Sequence, residues 1–262
     1  NQCIRSTATE GKLILDGVTF GDACGEAASN ANLDITVRGD TVFQANVSFS
    51  VVEGVVHLQG GTFQKGINVT TGEEALALLA DGYAFYNSDL TGVVLPDTLT
   101  YIGDYAFAGS ALKQLVLPNS LKIVGKAAFS ACRSMTTVVL NGDPEYQGSA
   151  STGVFSGCDQ LQTVTIANGL TQLGDGMFAH CTKLSAVVLP DTLTRIGESA
   201  FFSCHALKRI TLPDALTILD KNAFADCKAL QSIRIPAKVK SLSANTFVRC
   251  RALTSVTLPD TM

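Results

Sequence analysis

Apolar residues recur in this chain within a fixed frame. Near residue 190 the apolar positions are Leu184, Val187, Leu189, Leu193 and Ile196, with Pro190 and Phe201 at set places and polar residues between. The unit opens Cys181-Thr182-Lys183-Leu184, restarts 23 residues later at Cys204-His205-Ala206-Leu207, and again at Cys227 and Cys250. A period in the low twenties marks a solenoid, whose coils bury their apolar faces only against one another. The alternation predicts a short strand with Leu184, Val187 and Leu189 facing inward. Pro190 closes it, since proline has no N–H to give to a ladder. Leu193 and Ile196 line the next edge and Phe201 fills the return segment. Stacked coils set these strands roughly 4.8 Å apart in a parallel sheet. Its outward positions run Gln114, Thr137, Thr163, Ala186, Arg209 and Ser232, beside Val116, Val139, Thr165, Val188, Thr211 and Arg234. This is a mild Thr/Val face that turns basic at Lys208, Arg209 and Arg234.

The repeat occupies residues 83–262 and its anchors are Phe85, Phe107, Phe129, Phe155, Phe178, Phe201, Phe224 and Phe247. Their spacings are 22, 22, 26, 23, 23, 23 and 23 residues, the long interval reflecting an inserted turn-rich loop at 141–150. Residues 1–70 read differently. Short β-prone runs, each with a Gly and then a Phe, end at Phe20, Phe43 and Phe63, and predict a β-rich module of β-helix type that caps the solenoid. A short helical connector is expected over 71–82, with Thr71 as N-cap, Glu73 and Glu74 in the first turn and Gly82 at its end. The chain starts Asn1-Gln2-Cys3, without a signal-peptide pattern, and stops at Met262 a few residues into a repeat, so a longer parent truncated at both ends is expected.

The pattern Leu-x-x-(Val/Ile)-x-(Leu/Ile)-Pro-x-x-Leu-x-x-Ile-Gly-x-x-Ala-Phe-x-x-Cys resembles the BspA-like leucine-rich repeat family over about residues 83–262. The resemblance implies a right-handed superhelix with a parallel β-sheet, of about eight coils of 22–23 residues. It also implies an exported bacterial protein, secreted or displayed on the cell surface, whose relatives are associated with adhesion to host matrix proteins or other cells. The repeat carries no catalytic residues to transfer, and implies no cofactor.

Composition narrows this little. The net charge of −4 gives no general pull toward nucleic acid or an anionic membrane. The charge is uneven: residues 1–194 hold 9 Lys/Arg against 18 Asp/Glu, and residues 195–262 hold 10 against 5. No run nears the ~18 apolar residues of a membrane-spanning helix, and Trp is absent.

Six cysteines, Cys132, Cys158, Cys181, Cys204, Cys227 and Cys250, each follow an anchor Phe by three residues. One per coil at a fixed place predicts a ladder of buried free thiols acting as small apolar fillers. A ladder offers only two near neighbours at a time, which does not suit zinc. Cys3 and Cys24 lie outside it, and a disulfide or two free thiols both remain open. His180 and His205 flank ladder cysteines and are expected to face solvent rather than a metal. Arg38-Gly39-Asp40 is an integrin-type tripeptide at the place of a structural turn. Leu-Pro-Asp-Thr at 95–98, 189–192 and 258–261 mimics an anchoring signal, but the repeat explains it as strand end and turn. Asn46-Val47-Ser48 and Asn68-Val69-Thr70 are formal glycosylation sequons.

No nucleophile, base and carboxylate converge in the sequence, so the expected function is a non-enzymatic, monomeric scaffold that binds protein. The expected contacts are Lys208, Arg209 and Arg234, then Glu145 and Tyr146 in the inserted loop. The alternatives are a carbohydrate-binding or carbohydrate-active surface protein working through the N-terminal module, and a passive spacer.

Overall fold

The computed structural model describes residues 99–260 throughout and, before them, residues 10–16, 19–20, 26–29, 32–38, 42–43, 47–51, 56–58, 62–63, 66–71, 79–80, 85–87, 91–95 and 97. They build a parallel-sheet β-solenoid, with no helix among the described residues.

The coils are three-sided, and the register shows that the sides continue from the first residues into the repeat. One column of parallel strands runs Glu10–Asp16, Asn32–Arg38, Val56–Leu58, Leu79–Ala80, Tyr101–Ile102, Ile123–Val124 and Glu145–Tyr146. A second runs Glu26–Ser29, Val47–Val51, Gly66–Thr71 and Gly92–Val94. The third pairs Thr19–Phe20, Val42–Phe43 and Thr62–Phe63, so that Phe20, Phe43 and Phe63 stand in register. Phe85 follows Phe63 by 22 residues and begins the phenylalanine stack of the repeat.

The connector expected as a helix is strand at the places described. Thr71 ends one strand, and Leu79–Ala80 pairs with His57–Leu58 on one side and Tyr101–Ile102 on the other. Parallel ladders on both sides satisfy the backbone there, which outweighs the marginal helix stability of a twelve-residue segment. Residues 72–78 lie outside the described set, as do Cys3, Cys24, Gly39 and Asp40; Arg38 ends a strand.

From residue 114 the inward and outward positions fall as the alternation requires. Leu115 and Leu117, Val138 and Leu140, Val164 and Ile166, Ile210 and Leu212, and Ile233 and Ile235 are buried. Between them Gln114, Val116, Thr137, Thr165, Ala186, Val188, Arg209, Thr211, Ser232 and Arg234 are exposed. In the coil at 184–189, Leu184 is fully buried while Val187 and Leu189 are partly so. The strands Gln114–Leu117, Thr137–Leu140, Thr163–Ile166 and Ala186–Val188 form one ladder, called the first sheet below, and Ser232–Arg234 with Ser255–Thr257 form another.

Each return segment is held by a ladder of its own. The residue two places after the anchor Phe adopts positive φ in every described coil, as at Asn87, Gly109, Ala131, Gly157, His180, Ser203, Asp226 and Arg249. The residue two places before it does so at Tyr105, Ala127, Gly176, Ser199, Asn222 and Asn245. For a non-glycine residue this conformation costs about 1–2 kcal/mol. Alternate N–H groups of the return donate to the following coil, Ser199 to Lys221, Phe201 to Ala223 and Ser203 to Ala225, at 3.1, 2.9 and 2.9 Å, while Ala200 and Phe202 between them bond back to Gly197 and Ser199 of their own coil. The same triplet recurs at Tyr105, Phe107 and Gly109.

Inside the turns the rings from Phe85 to Phe247 stack at centroid spacings from 4.7 to 6.0 Å and within 20° of parallel. Beside them runs the thiol ladder. All six cysteines are free, and all but the half-buried Cys250 are buried. They are more than fillers. Each thiol donates to the carbonyl of the anchor Phe one coil earlier, as Cys181 to Phe155 at 3.3 Å and Cys227 to Phe201 at 3.2 Å. Ser110 takes the cysteine's place in its coil, its hydroxyl 3.4 Å from the Cys132 sulfur. Burial raises the thiols of Cys158, Cys181, Cys204 and Cys227 above their ordinary range, and with a neutral thiol goes low reactivity. In a Cys3→Ser, Cys24→Ser variant, a thiol reagent such as Ellman's is therefore expected to modify Cys250 first and the other five only on unfolding. Rapid native labelling of Cys181 would contradict the buried ladder.

Candidate functional site

Two surfaces could carry a contact: the outer face of the first sheet, and the long coil where the column from Glu10–Asp16 to Glu145–Tyr146 ends. Along the first sheet the outward side chains are short, β-branched or uncharged, with Val116 57% and Val188 60% exposed. A purely parallel sheet is ordinarily covered on both faces. Here one face is packed on the core and the other is open. A shallow cleft of about 400 Å3 lies at its edge, lined by Val93, Gln114, Val116, Pro118 and Asn141 among others. The Pro-Asp-Thr segment after the strand serves the fold: Pro190 is buried, and the Thr192 hydroxyl donates to Leu170 C=O at 2.8 Å.

The basic residues expected here are not equivalent. Lys208 and Arg209 are exposed, in a coil whose 209–211 segment forms no ladder with Ala186–Val188, so the sheet is interrupted where its charge changes. Arg234 is exposed too, but its guanidinium binds Asp214 at 3.0 Å. At 64% and 83% exposure this pair contributes little to stability, yet it removes Arg234 from the set of uncommitted cations.

The second expected contact needs correction. Glu145 and Tyr146 do not sit side by side on an exposed loop. They form a strand in register with Ile123 and Val124, so the pleat sends Glu145 outward and Tyr146 inward toward the core. Tyr146 lies 22 residues after Val124, the ordinary spacing, but nine rather than five residues before the next anchor Phe. The extra residues of this coil thus fall between 146 and 155, in a turn where Ser149 N–H donates to the Thr152 hydroxyl at 3.0 Å. The Tyr146 hydroxyl is buried without a hydrogen-bond partner. Burial first, and the nearby Asp143 carboxylate second, push its phenol well up.

Beyond this strand the column breaks. Glu145–Tyr146 ends one ladder, and Gln172–Leu173 starts the next with Arg195–Ile196 and Ile218–Leu219. In place of strand pairing, the Asp143 carboxylate accepts from the Thr171 N–H at 2.9 Å and from its hydroxyl at 3.0 Å. A cleft of about 340 Å3 occupies the gap, lined by Asp143, Glu145, Tyr146, Thr171, Gln172, Gly174, Asp175 and Arg195 among others. Arg195 is clamped between Asp175 at 2.9 Å and Asp220 at 2.7 Å.

One further cluster was not visible in the sequence. Asp226 accepts from the Ser203 hydroxyl at 3.2 Å and contacts His205 Nε2 at 3.1 Å, with Lys228 at 3.5 Å. Burial alone would raise its carboxyl. The bonds from His205 and Ser203 and the charge of Lys228 outweigh that and hold it below its usual range. Serine and histidine both bind the carboxylate rather than each other, the wrong order for an activated nucleophile, in which histidine stands between. His180 lies elsewhere, its ring edge-on to Phe202 at 5.2 Å. Among the described residues, no group of three His, Cys, Asp or Glu side chains could hold a metal ion.

A profile of the BspA type leucine rich repeat region matches residues 81–184 and 148–262, with six copies. Among solved structures, a leucine-rich repeat protein from Bacteroides ovatus is 18% identical, with a TM-score of 0.67 and coverage of 95% of this chain and 88% of that one. That likeness shows the fold. The leucine rich repeat protein of T. pallidum is 30% identical, covering 55% of this chain and 69% of its own, with a TM-score of 0.49. A leucine rich cell surface protein from Faecalibacterium prausnitzii is 20% identical over 97% of this chain and 89% of that one, with a TM-score of 0.45. No curated protein matches the sequence.

Proposed function

We propose that this chain, which belongs to the BspA-type leucine-rich repeat family, is a non-catalytic scaffold that binds a protein partner through the open face of its first sheet. The observation that carries the reading is the run of outward Val, Thr and Ala side chains from Val116 to Val188, with Val116, Thr137, Thr165, Ala186 and Val188 exposed and Val139 and Thr163 half-buried, on a parallel sheet whose other face is core. A repeat scaffold spreads affinity over several coils and needs no pocket. Val188 and Thr165 supply the desolvated centre of the contact in this reading. Lys208 and Arg209 form its charged rim, with Arg234 added where a partner displaces Asp214. Charged rims act mainly on association rate and its salt dependence.

Display outside the cell and adhesion to a matrix protein or another cell are part of the same proposal and rest on the family resemblance. No helix among the described residues is long and apolar enough to cross a membrane. The test is binding of the purified chain to immobilised extracellular matrix proteins by surface plasmon resonance, alongside a Thr165→Glu, Val188→Glu double variant and an Arg209→Glu variant. The double variant is expected to lose at least about tenfold in affinity, since it charges the centre of the contact. Arg209→Glu is expected to slow association and flatten the salt dependence. Binding that survives the double variant would move the contact off this face, and no binding to any matrix protein would remove the adhesion reading.

A further inference from the structure

We propose that the corner flanking the cysteine ladder at Cys204, Cys227 and Cys250 is a binding site for a sulfated polysaccharide, held by Lys228, Arg249 and Arg251 with Lys208 at its edge. The site lies beside the first-sheet face and stands or falls without that reading.

The stack brings these cations together. Inter-coil hydrogen bonds set like positions of consecutive coils one above another: Ser203 N–H donates to Ala225 C=O at 2.9 Å, Asp226 N–H to Val248 C=O at 2.7 Å and Ala252 N–H to Lys228 C=O at 3.2 Å. The residue before each ladder cysteine thus forms a column of Ser203, Asp226 and Arg249, and the residue after it a column of His205, Lys228 and Arg251. The phenylalanine stack spaces these coils at 5.2 and 6.0 Å. Lys228, Arg249 and Arg251 are exposed, as is Lys208, three residues past His205 where the corner meets the sheet. Earlier coils hold Ala131, Gly157 and His180 in the first column and Arg133, Asp159 and Thr182 in the second, where one cation faces one carboxylate in the next coil. The positive charge therefore gathers in three coils instead of repeating along the solenoid.

The chain does not neutralise it. Asp226 is the one carboxylate of the two columns in these coils, and it is taken up by His205 at 3.1 Å and Lys228 at 3.5 Å. Lys208, Arg249 and Arg251 make no side-chain hydrogen bond or ion pair with the described residues. The neighbouring carboxylates are spent elsewhere, Asp220 on Arg195 and Asp214 on Arg234. Like charges held about one coil apart repel, and an anion placed between them relieves the repulsion. A guanidinium meets the oxygens of a sulfate with two parallel N–H groups, and two such forks stand here in adjacent columns. A linear chain bearing several sulfates reaches all three coils, which a single small anion does not. Nucleic acid fits less well. From Ser199 to Thr254 there is no Tyr or Trp, and Phe201, Phe202, Phe224 and Phe247 are buried or half-buried, so the corner lacks the ring platform on which bases stack.

The experiment is surface plasmon resonance of the whole chain over immobilised heparin, chemically desulfated heparin and a DNA oligonucleotide, at stepped sodium chloride concentrations. Heparin is expected to bind, to weaken with salt and to depend on its sulfates. A Lys228→Ser, Arg251→Ser double variant is expected to raise the heparin dissociation constant at least about tenfold. A Lys113→Ser, Lys122→Ser variant loses the same net charge from exposed positions in earlier coils and is expected to stay within about twofold, being screened from the site. Asp226→Asn is expected to tighten binding at least about threefold, an effect that damage to the fold would not imitate. Asparagine keeps an acceptor for the Ser203 hydroxyl and tolerates the φ of 58° at this position. The Thr165→Glu, Val188→Glu variant that tests the sheet face retains all three cations, so the two readings fail separately. Lack of heparin binding, equal binding to desulfated heparin, DNA held as tightly as heparin, equal losses in the two serine variants, or no tightening in Asp226→Asn would each overturn the assignment.

Discussion

Phe178→Ala is expected to lower the unfolding free energy by about 3–5 kcal/mol, the range for emptying a buried phenylalanine site. The ring is fully buried and stacks on Phe155 and Phe201 at 5.6 Å on each side. The lost transfer energy is therefore joined by two stacking contacts of about 0.5–1.5 kcal/mol each. The flanking backbones are locked together by inter-coil hydrogen bonds and cannot collapse into the hole. Because coils couple only to their neighbours, the lesion is also expected to divide the melt. Urea titrations followed by circular dichroism would show a lower midpoint and a broader or biphasic transition. Phe247→Ala provides the contrast, since that ring is only partly buried and has one described stacking neighbour, Phe224. Equal losses at the two positions would mean that the stack does not act as a ladder.

Gly153→Ala is the second large effect, expected at about 2–4 kcal/mol through overpacking. A Cβ at this position would lie 1.9 Å from the Gly176 carbonyl oxygen and 2.1 Å from its carbon. Both are backbone atoms of the next coil, so no side-chain rotation relieves the clash. The cause is contact rather than backbone conformation, for Gly153 is not among the residues with positive φ. Gly92→Ala is the internal control, because a Cβ there meets nothing within 4 Å. It is expected to be neutral or to stabilise by about 0.4–1 kcal/mol. Thermal melts of the two variants should therefore move in opposite directions or differ widely, and a Gly153 variant that melts with the parent would refute the close approach.

These two sites also mark where the sequence was readable. The phenylalanine stack, the inward aliphatics and the thiol ladder were legible because they are nearly invariant from coil to coil, and burial demands the same residue type each time. The left-handed turns were not. Their positions hold Tyr105, Ala127, Ser199 and Arg249 as readily as Gly109 or Asn222, because inter-coil hydrogen bonds impose the conformation that glycine would otherwise have been needed to supply. The inserted loop was visible as a long interval, but its position was not. Only the pairing of Tyr146 with Val124 places the extra residues after 146 and turns an expected surface tyrosine inward. The His205–Asp226 contact was hidden for another reason. Its partners occupy different places in consecutive coils, 21 residues apart, and no periodic reading aligns them.

The direction of the turn ladder has an electrical consequence. In the sheets, successive peptide groups point alternately up and down the stack and their dipoles largely cancel. In the return segments they do not, since the N–H groups two before the anchor Phe, at it and two after it all face the following coil. Summed over the coils, these peptides give the solenoid a permanent moment along its axis, in the way that aligned peptides polarise a helix. Its positive pole points toward the later coils, where Lys and Arg also outnumber Asp and Glu. Backbone and side chains thus bias the field in the same sense. A charged partner meeting the molecule in solution would be oriented before it touched any particular residue.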